Sequence, residues 1–340
     1  MEHLDDVVDG VVRDHGFSGV VRVERGDEIV LTCAHGLANR SAGVANTVET
    51  MFAVASGTKG LTALVIASLV DDGILELSAT ARSVLGSDLP LVDDAVTIEH
   101  LLSHRSGIGD YLDEDLNQPV SDYVMPVPVH ELDSTESYLA VLDGHAAKFA
   151  PGERFSYCNS GYVVLALIAE RASGVAFAEI VRRRVCEPAG MEHTAFLRSD
   201  ALPGDAAIGY VEIDGAVRTN VFHLPVVGSG DGGIYSTAGD IGKLWTAMFG
   251  GVIVSKDRVA ELVTPRSDEP SESRRYGMGF WLHETRDVVM LEGMDAGVSF
   301  RTMHDPNAGL TFTVMSNTSD GAWPLAKCLE ARLIDGAAPS

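Results

Sequence analysis

The sequence predicts an α+β protein: an antiparallel sheet flanked by N- and C-terminal helices, with a mostly helical segment inserted between the two halves of the sheet. Two observations lead there. β-rich runs stand near the start (Ser18 to Arg25, Glu28 to Cys33) and return near the end (Gly279–His283, Val288–Leu291, Val298–Met303, Leu310–Ser316). Between them, the clearest patterns have helical spacing. The 340 residues suffice for two domains or one large one with a sizeable core.

Taken in order, residues 4–16 read as an amphipathic helix with Leu4, Val7, Val8, Val11 and Val12 on one side. Gly26-Asp27 turns the first two β runs into a hairpin. The apolar run Gly60 to Val70 reads as a helix beginning near Ser56 and ending at Asp71-Asp72-Gly73. Residues 76–225 are mixed, with helical patches at Ile98–Ser103, Ser134–Leu142 and Gly161–Ala172. Met125-Pro126-Val127-Pro128 is a surface loop, and Trp323 to Ile334 is a C-terminal helix. The expected division is a discontinuous sheet domain (1–75 plus 235–335) and a mainly helical domain (76–234), with the site at their interface.

Apolar residues make up 46% and charged residues 22%, as in a soluble globular protein. A net charge of −24 argues against nucleic acid or an anionic membrane surface as partner. Gly60 to Val70 is too short to span a bilayer, and Met1-Glu2-His3-Leu4-Asp5-Asp6 lacks the regions of a secretory leader. The expectation is a cytoplasmic protein, with a mature secreted or periplasmic form as the alternative. Cys33, Cys158, Cys186 and Cys328 form no Cys-x-x-Cys pair and read as reduced thiols. No cofactor or metal is expected: His100 and His104 stand four apart without a third ligand, and Gly230–Gly233 lacks the Gly-Lys-Ser/Thr of a phosphate loop. Oligomeric state is left open.

Chemistry concentrates at Ser56-Gly57-Thr58-Lys59. On a helix, Ser56 and Lys59 share a face, so the amine can take the hydroxyl proton of a nucleophile at a positive helix end. Alone the pattern is weak, since a chain this long holds about one Ser-x-x-Lys by chance. A second segment, Phe149-Ala150-Pro151-Gly152-Glu153-Arg154-Phe155-Ser156-Tyr157-Cys158-Asn159, puts Tyr157 and Asn159 on a loop entering a helix. Tyr157 can relay protons near a cation and Asn159 can bond a carbonyl and an ammonium. The same residues also fit a buried aromatic and a helix N-cap.

Ser56-x-x-Lys59 and Tyr157-x-Asn159 resemble the first two motifs of the serine β-lactamase and penicillin-binding protein superfamily. The similar branch holds class C β-lactamases, D-alanyl-D-alanine carboxypeptidases, D-aminopeptidases and β-lactamase-like esterases. Further matching segments follow in order: His35-Gly36-Leu37, Leu101-Leu102-Ser103-His104, Pro188-Ala189-Gly190-Met191, Gly230-Asp231-Gly232-Gly233 and Tyr276-Gly277-Met278-Gly279. The resemblance implies a β-lactamase/transpeptidase-like fold. It implies Ser56 as nucleophile, Lys59 and Tyr157 as proton-transfer groups, and Asn159 on the substrate carbonyl side chain. The N–H groups of Ser56 and Met294 would form an oxyanion hole.

The third motif of that superfamily, Lys-Thr-Gly or His-x-Gly, is replaced by Leu291-Glu292-Gly293. Gly293 keeps the close backbone approach, whereas Leu291 removes a group that helps hold a substrate carboxylate. Arg301 could restore that charge from another angle, and Glu292 and Asp295 read as solvated carboxylates or as part of a site for neutral esters or free amines. The reading is a hydrolase that forms a Ser56 acyl-enzyme on a small-molecule ester, amide, peptide or β-lactam. The alternatives are a true β-lactamase or D-alanyl-D-alanine carboxypeptidase, and, in another class, a binding or regulatory protein with weak turnover. Cys158, between the two loop residues, is a small space-filler that could expose the site to thiol reagents.

Overall fold

The computed structural model describes residues 4–116, 119 and 122–336. Helix α1 (Leu4–His15) leads into a hairpin of β1 (Gly19–Arg25) and β2 (Glu28–His35), turned at Gly26, where φ is 57°. The short strand β3 (Phe52–Ala53) ends at a 3-10 turn (Ala55–Gly57) that runs directly into α2 (Thr58–Asp71). The expected helix therefore starts two residues later than Ser56, and Ser56 sits in the tighter turn at its mouth. Helices α3 (Ile98–Leu102) and α4 (Asn159–Ser173) follow, then strands β4 (Ala195–Phe196) and β5 (Ile234–Ser236) and helix α5 (Ala238–Gly250).

The last part of the chain is a meander: β6 (Ser267–Glu269), β7 (Arg274–Tyr276), β8 (Trp281–His283), β9 (Val289–Asp295), β10 (Val298–Asp305) and β11 (Leu310–Ser316). Helix α6 (Ala322–Leu329) and a π turn (Glu330–Ile334) end it. The eight-stranded sheet has the order β6-β7-β8-β9-β10-β11-β1-β2, with every neighbouring pair antiparallel. The strand from the beginning of the chain thus docks beside the last strand, as β runs at both ends require. A smaller sheet, β3-β5-β4, ties the segment before Ser56 to residues 195–196 and 234–236.

Alternating side chains give the large sheet two apolar faces. Val21, Val23, Met290, Met303, Phe312 and Val314 pack under α1 and α6. Val20, Leu291, Phe300 and Met315 point the other way, into a larger core with α2, α3, α4 and α5. Helix α2 lies in the middle of that core, and every residue from Thr58 to Leu69 is buried. This explains a run apolar on all sides rather than on one stripe. Lys59 is the exception in kind, a titratable amine in the centre of the molecule at 2% exposure. Among the described residues no helix is long and apolar enough to cross a membrane.

Candidate active site

Ser56 is held by its backbone. Ala55 before it has φ 45°, a left-handed conformation that is strained for a residue with a Cβ. The turn is closed by Gly57 N–H donating to Val54 O (2.9 Å) and by Thr58 Oγ1 donating to Ala55 O (2.7 Å). From the first turn of α2, Lys59 Nζ reaches Ser56 Oγ at 2.9 Å, Asn159 Oδ1 at 2.8 Å and Asp231 O at 2.8 Å. Two of these partners can only accept. Burial lowers the pKa of Lys59, against the nearby carboxylates of Asp231, Glu114, Asp110 and Asp295. The three contacts match the three N–H bonds of an ammonium; loss of one proton, which burial favours, leaves two N–H bonds for Asn159 and Asp231 and turns the lone pair toward the serine hydroxyl.

Tyr157 stands on the loop before α4, with its ring centroid 4.9 Å from Lys59 Nζ. It stacks on Trp281 of β8 (6.0 Å, 9°) and lies 4.3 Å from the His104 ring. Burial holds its phenol well above the ordinary tyrosine range; a hydrogen bond with Ser56 partly opposes this. Backbone bonds lace the loop to the turn after α3: Ser156 N–H to His104 O (2.9 Å) and Gly152 N–H to Arg105 O (2.8 Å). His104 itself is buried and accepts from Cys158 N–H at Nδ1 (3.0 Å). Burial, with Lys59 nearby, keeps it neutral, its pKa well below the ordinary value. His100 instead closes the N-terminal capping box of α3 with Thr97. Cys158 is buried, and burial pushes its thiol well above the ordinary range, which disfavours the thiolate.

Asn159 opens α4, but it does not cap the helix. Asp110 does so from another segment, accepting from Asn159 N–H and Ser160 N–H, both at 2.8 Å. The Asn159 amide holds Lys59 through Oδ1, while Nδ2 donates to Leu112 O (2.9 Å) and Glu114 Oε1 (3.2 Å). With both N–H bonds engaged, it orients the lysine first.

Strand β9 passes the serine on the opposite side. A Cβ on Gly293 would lie 2.5 Å from both Ser56 N and Val54 O, so glycine is what lets the strand approach. Met294 follows, 43% exposed, and lines the cavity. Leu291, expected in the pocket, lies in the core at 2% exposure and fills the space above Gly60. The pleat explains the correction: Leu291 points into the packed core beneath α2, and its neighbour Glu292 reaches the cavity wall. Arg301, the cross-strand partner of Glu292, donates to its Oε2 through Nη2 (2.6 Å) and Nε (2.9 Å). It also bonds Glu330 Oε2 (2.9 Å).

The cleft between these elements has a volume of about 1350 Å³. Four carboxylates surround Lys59: Asp295, which the sequence reads as a solvated carboxylate or part of the site, and Asp110, Glu114 and Asp231, which it leaves without a site role. Asp231 Oδ2 accepts from Tyr111 O–H at 2.5 Å, and burial raises the pKa of both groups. Asp295 is raised to about 7 by burial and by Asp231, against Lys59. A signal for Asp231 was present, since Gly230–Gly233 is one of the matching segments. Asp110 and Glu114 belong to no motif and are brought in by the course of the loop.

The Beta-lactamase family profile matches residues 4–336, and the chain belongs to that family. It is 28% identical to a putative penicillin-binding protein, PbpX, of Bacillus subtilis (strain 168). That alignment covers 81% of this chain and 64% of the relative, so the chain spans less than two thirds of the relative's length. Esterase EstB of Burkholderia gladioli is 32% identical, over 70% of this chain and 67% of the esterase. The crystal structure of a penicillin binding protein from Bacillus halodurans superposes with a TM-score of 0.90 at 33% identity, covering 96% of this chain and all of that one (100%).

Proposed function

We propose that the protein is a serine hydrolase that cleaves a small-molecule ester, amide or peptide through an acyl-enzyme on Ser56. The observation that carries this reading is the buried Lys59 amine 2.9 Å from Ser56 Oγ, held by two partners that can only accept. In the proposed sequence Ser56 Oγ attacks the acyl carbonyl and its proton passes to Lys59. The oxyanion faces the N–H groups of Ser56 and Met294. Tyr157 delivers a proton to the leaving group, whose bond to the acyl carbon breaks. Water then attacks the ester, losing a proton to the same pair, and Ser56 Oγ leaves with one.

A fluorophosphonate should label the chain once, and nitrophenol release from a short-chain nitrophenyl ester should continue beyond one equivalent. Release that stops at one equivalent replaces the hydrolase by a binding protein that is acylated but does not turn over. Gly293→Ala tests the oxyanion site. Its Cβ meets two backbone atoms that cannot rotate away, so the strand must retreat from Ser56. Acylation should slow about a hundredfold or more, the scale of losing one oxyanion donor. A Gly293→Ala rate within threefold of wild type in stopped-flow nitrophenol release contradicts that role, threefold being about 0.65 kcal/mol.

A further inference from the structure

We propose that the Glu292–Arg301 pair sets the charge of the acyl donor this cleft accepts: by occupying Arg301 internally, Glu292 excludes donors that carry a carboxylate and favours neutral or cationic ones. The inference rests on the acyl-enzyme reading above and names the substrate class of that same site.

Arg301 lies on β10 opposite Glu292, two residues from Met294, and it lines the cleft. It is the cation on the strand pair that passes the nucleophile. Two of its nitrogens converge on one Glu292 oxygen, and a third is bound to Glu330, which Arg274 also holds. Its face is covered by Trp323, with the guanidinium carbon 5.3 Å from the ring centroid. The Nε–Nη2 edge is thereby taken and Nη1 is held as well, so an incoming carboxylate meets a guanidinium already paired with two carboxylates. The other acidic groups near Ser56 are Glu114, Asp231 and Asp295, which line the same cleft and offer carboxyl oxygens rather than a cation. Arg154 and Lys327 also line it, but both are exposed, where water screens them. Tyr123 and Trp281 line the same cleft.

Three nitrophenyl esters with the same trimethylene chain test this: one ends in trimethylammonium, one in tert-butyl and one in carboxylate. For the wild type, kcat/KM should fall from cation to neutral to anion, spanning about tenfold or more, the equivalent of one charge interaction of ~1.4 kcal/mol. Glu292→Gln should raise the anion-to-cation ratio by about tenfold, because it frees the Nε–Nη2 edge of Arg301. Glu292→Gln combined with Arg301→Gln should abolish that gain. A wild type that takes the anion as well as the cation overturns the proposal, and so does a Glu292→Gln ratio within threefold of wild type. The wild-type order needs no variant to fold. Ser56→Ala run beside it separates the two levels: persistent turnover there removes the acyl-enzyme reading, whereas loss of turnover with a flat charge order removes only this inference.

Discussion

Ser56→Ala is expected to lower kcat/KM on a nitrophenyl ester by about 10⁴-fold or more, the scale seen when the nucleophile of an acyl-transfer unit is removed. The side chain contributes little to the fold. Its Oγ bonds Lys59 and Tyr157, whereas the turn that holds it is closed by Gly57 N–H and Thr58 Oγ1. Thermal unfolding of Ser56→Ala should therefore stay near that of the wild type, so lost activity reports chemistry. What remains should resemble the contribution of the oxyanion site and binding alone, with no burst of nitrophenol. A variant that keeps a full burst would mean that another group accepts the acyl chain.

Lys59→Met should cost about 10³-fold or more in acylation, because it removes the only amine within reach of Ser56 Oγ among the described residues. The pH profile gives the sign. Neutral Lys59 is the active form, so log(kcat/KM) rises with pH until the amine is deprotonated. Burial moves that limb below the ordinary lysine value of about 10.4. Asp295 acts in the other direction: once ionised, above about 7, it stabilises the ammonium. Asp295→Asn should therefore move the ascending limb to lower pH. A shift to higher pH contradicts the electrostatic account of Lys59.

Much of this architecture is visible in the chain itself. β runs at both ends with helical patterns between them required a sheet closed by its terminal strands, and β1 does lie beside β11. The hairpin at Gly26 and helix α1 are local patterns that tertiary packing did not override. Helix α5 and strands β6 and β7 were not expected. The strands are three residues each, too short for alternation to register, and α5 is apolar enough to pass for core of either kind. At the site, Ser56 and Lys59, three apart across the turn into α2, and Tyr157 and Asn159, two apart at the mouth of α4, were legible because spacing encodes their proximity. Leu291 was misplaced because motif alignment fixes a position along a strand but not which face packs against α2. Asp110, Tyr111 and Glu114 were invisible for the converse reason. Their place beside Lys59 and Asn159 comes from a loop of irregular path, and nothing periodic announces it.

The most direct measurement of the central claim is to trap the intermediate. A slow nitrophenyl ester is quenched in acid during the first turnover and the acyl group is located by peptide mass mapping. The account predicts one acyl group per chain, on Ser56, formed at the rate of the nitrophenol burst. Acylation at another residue, or steady turnover with no acylated peptide at any time, would contradict it.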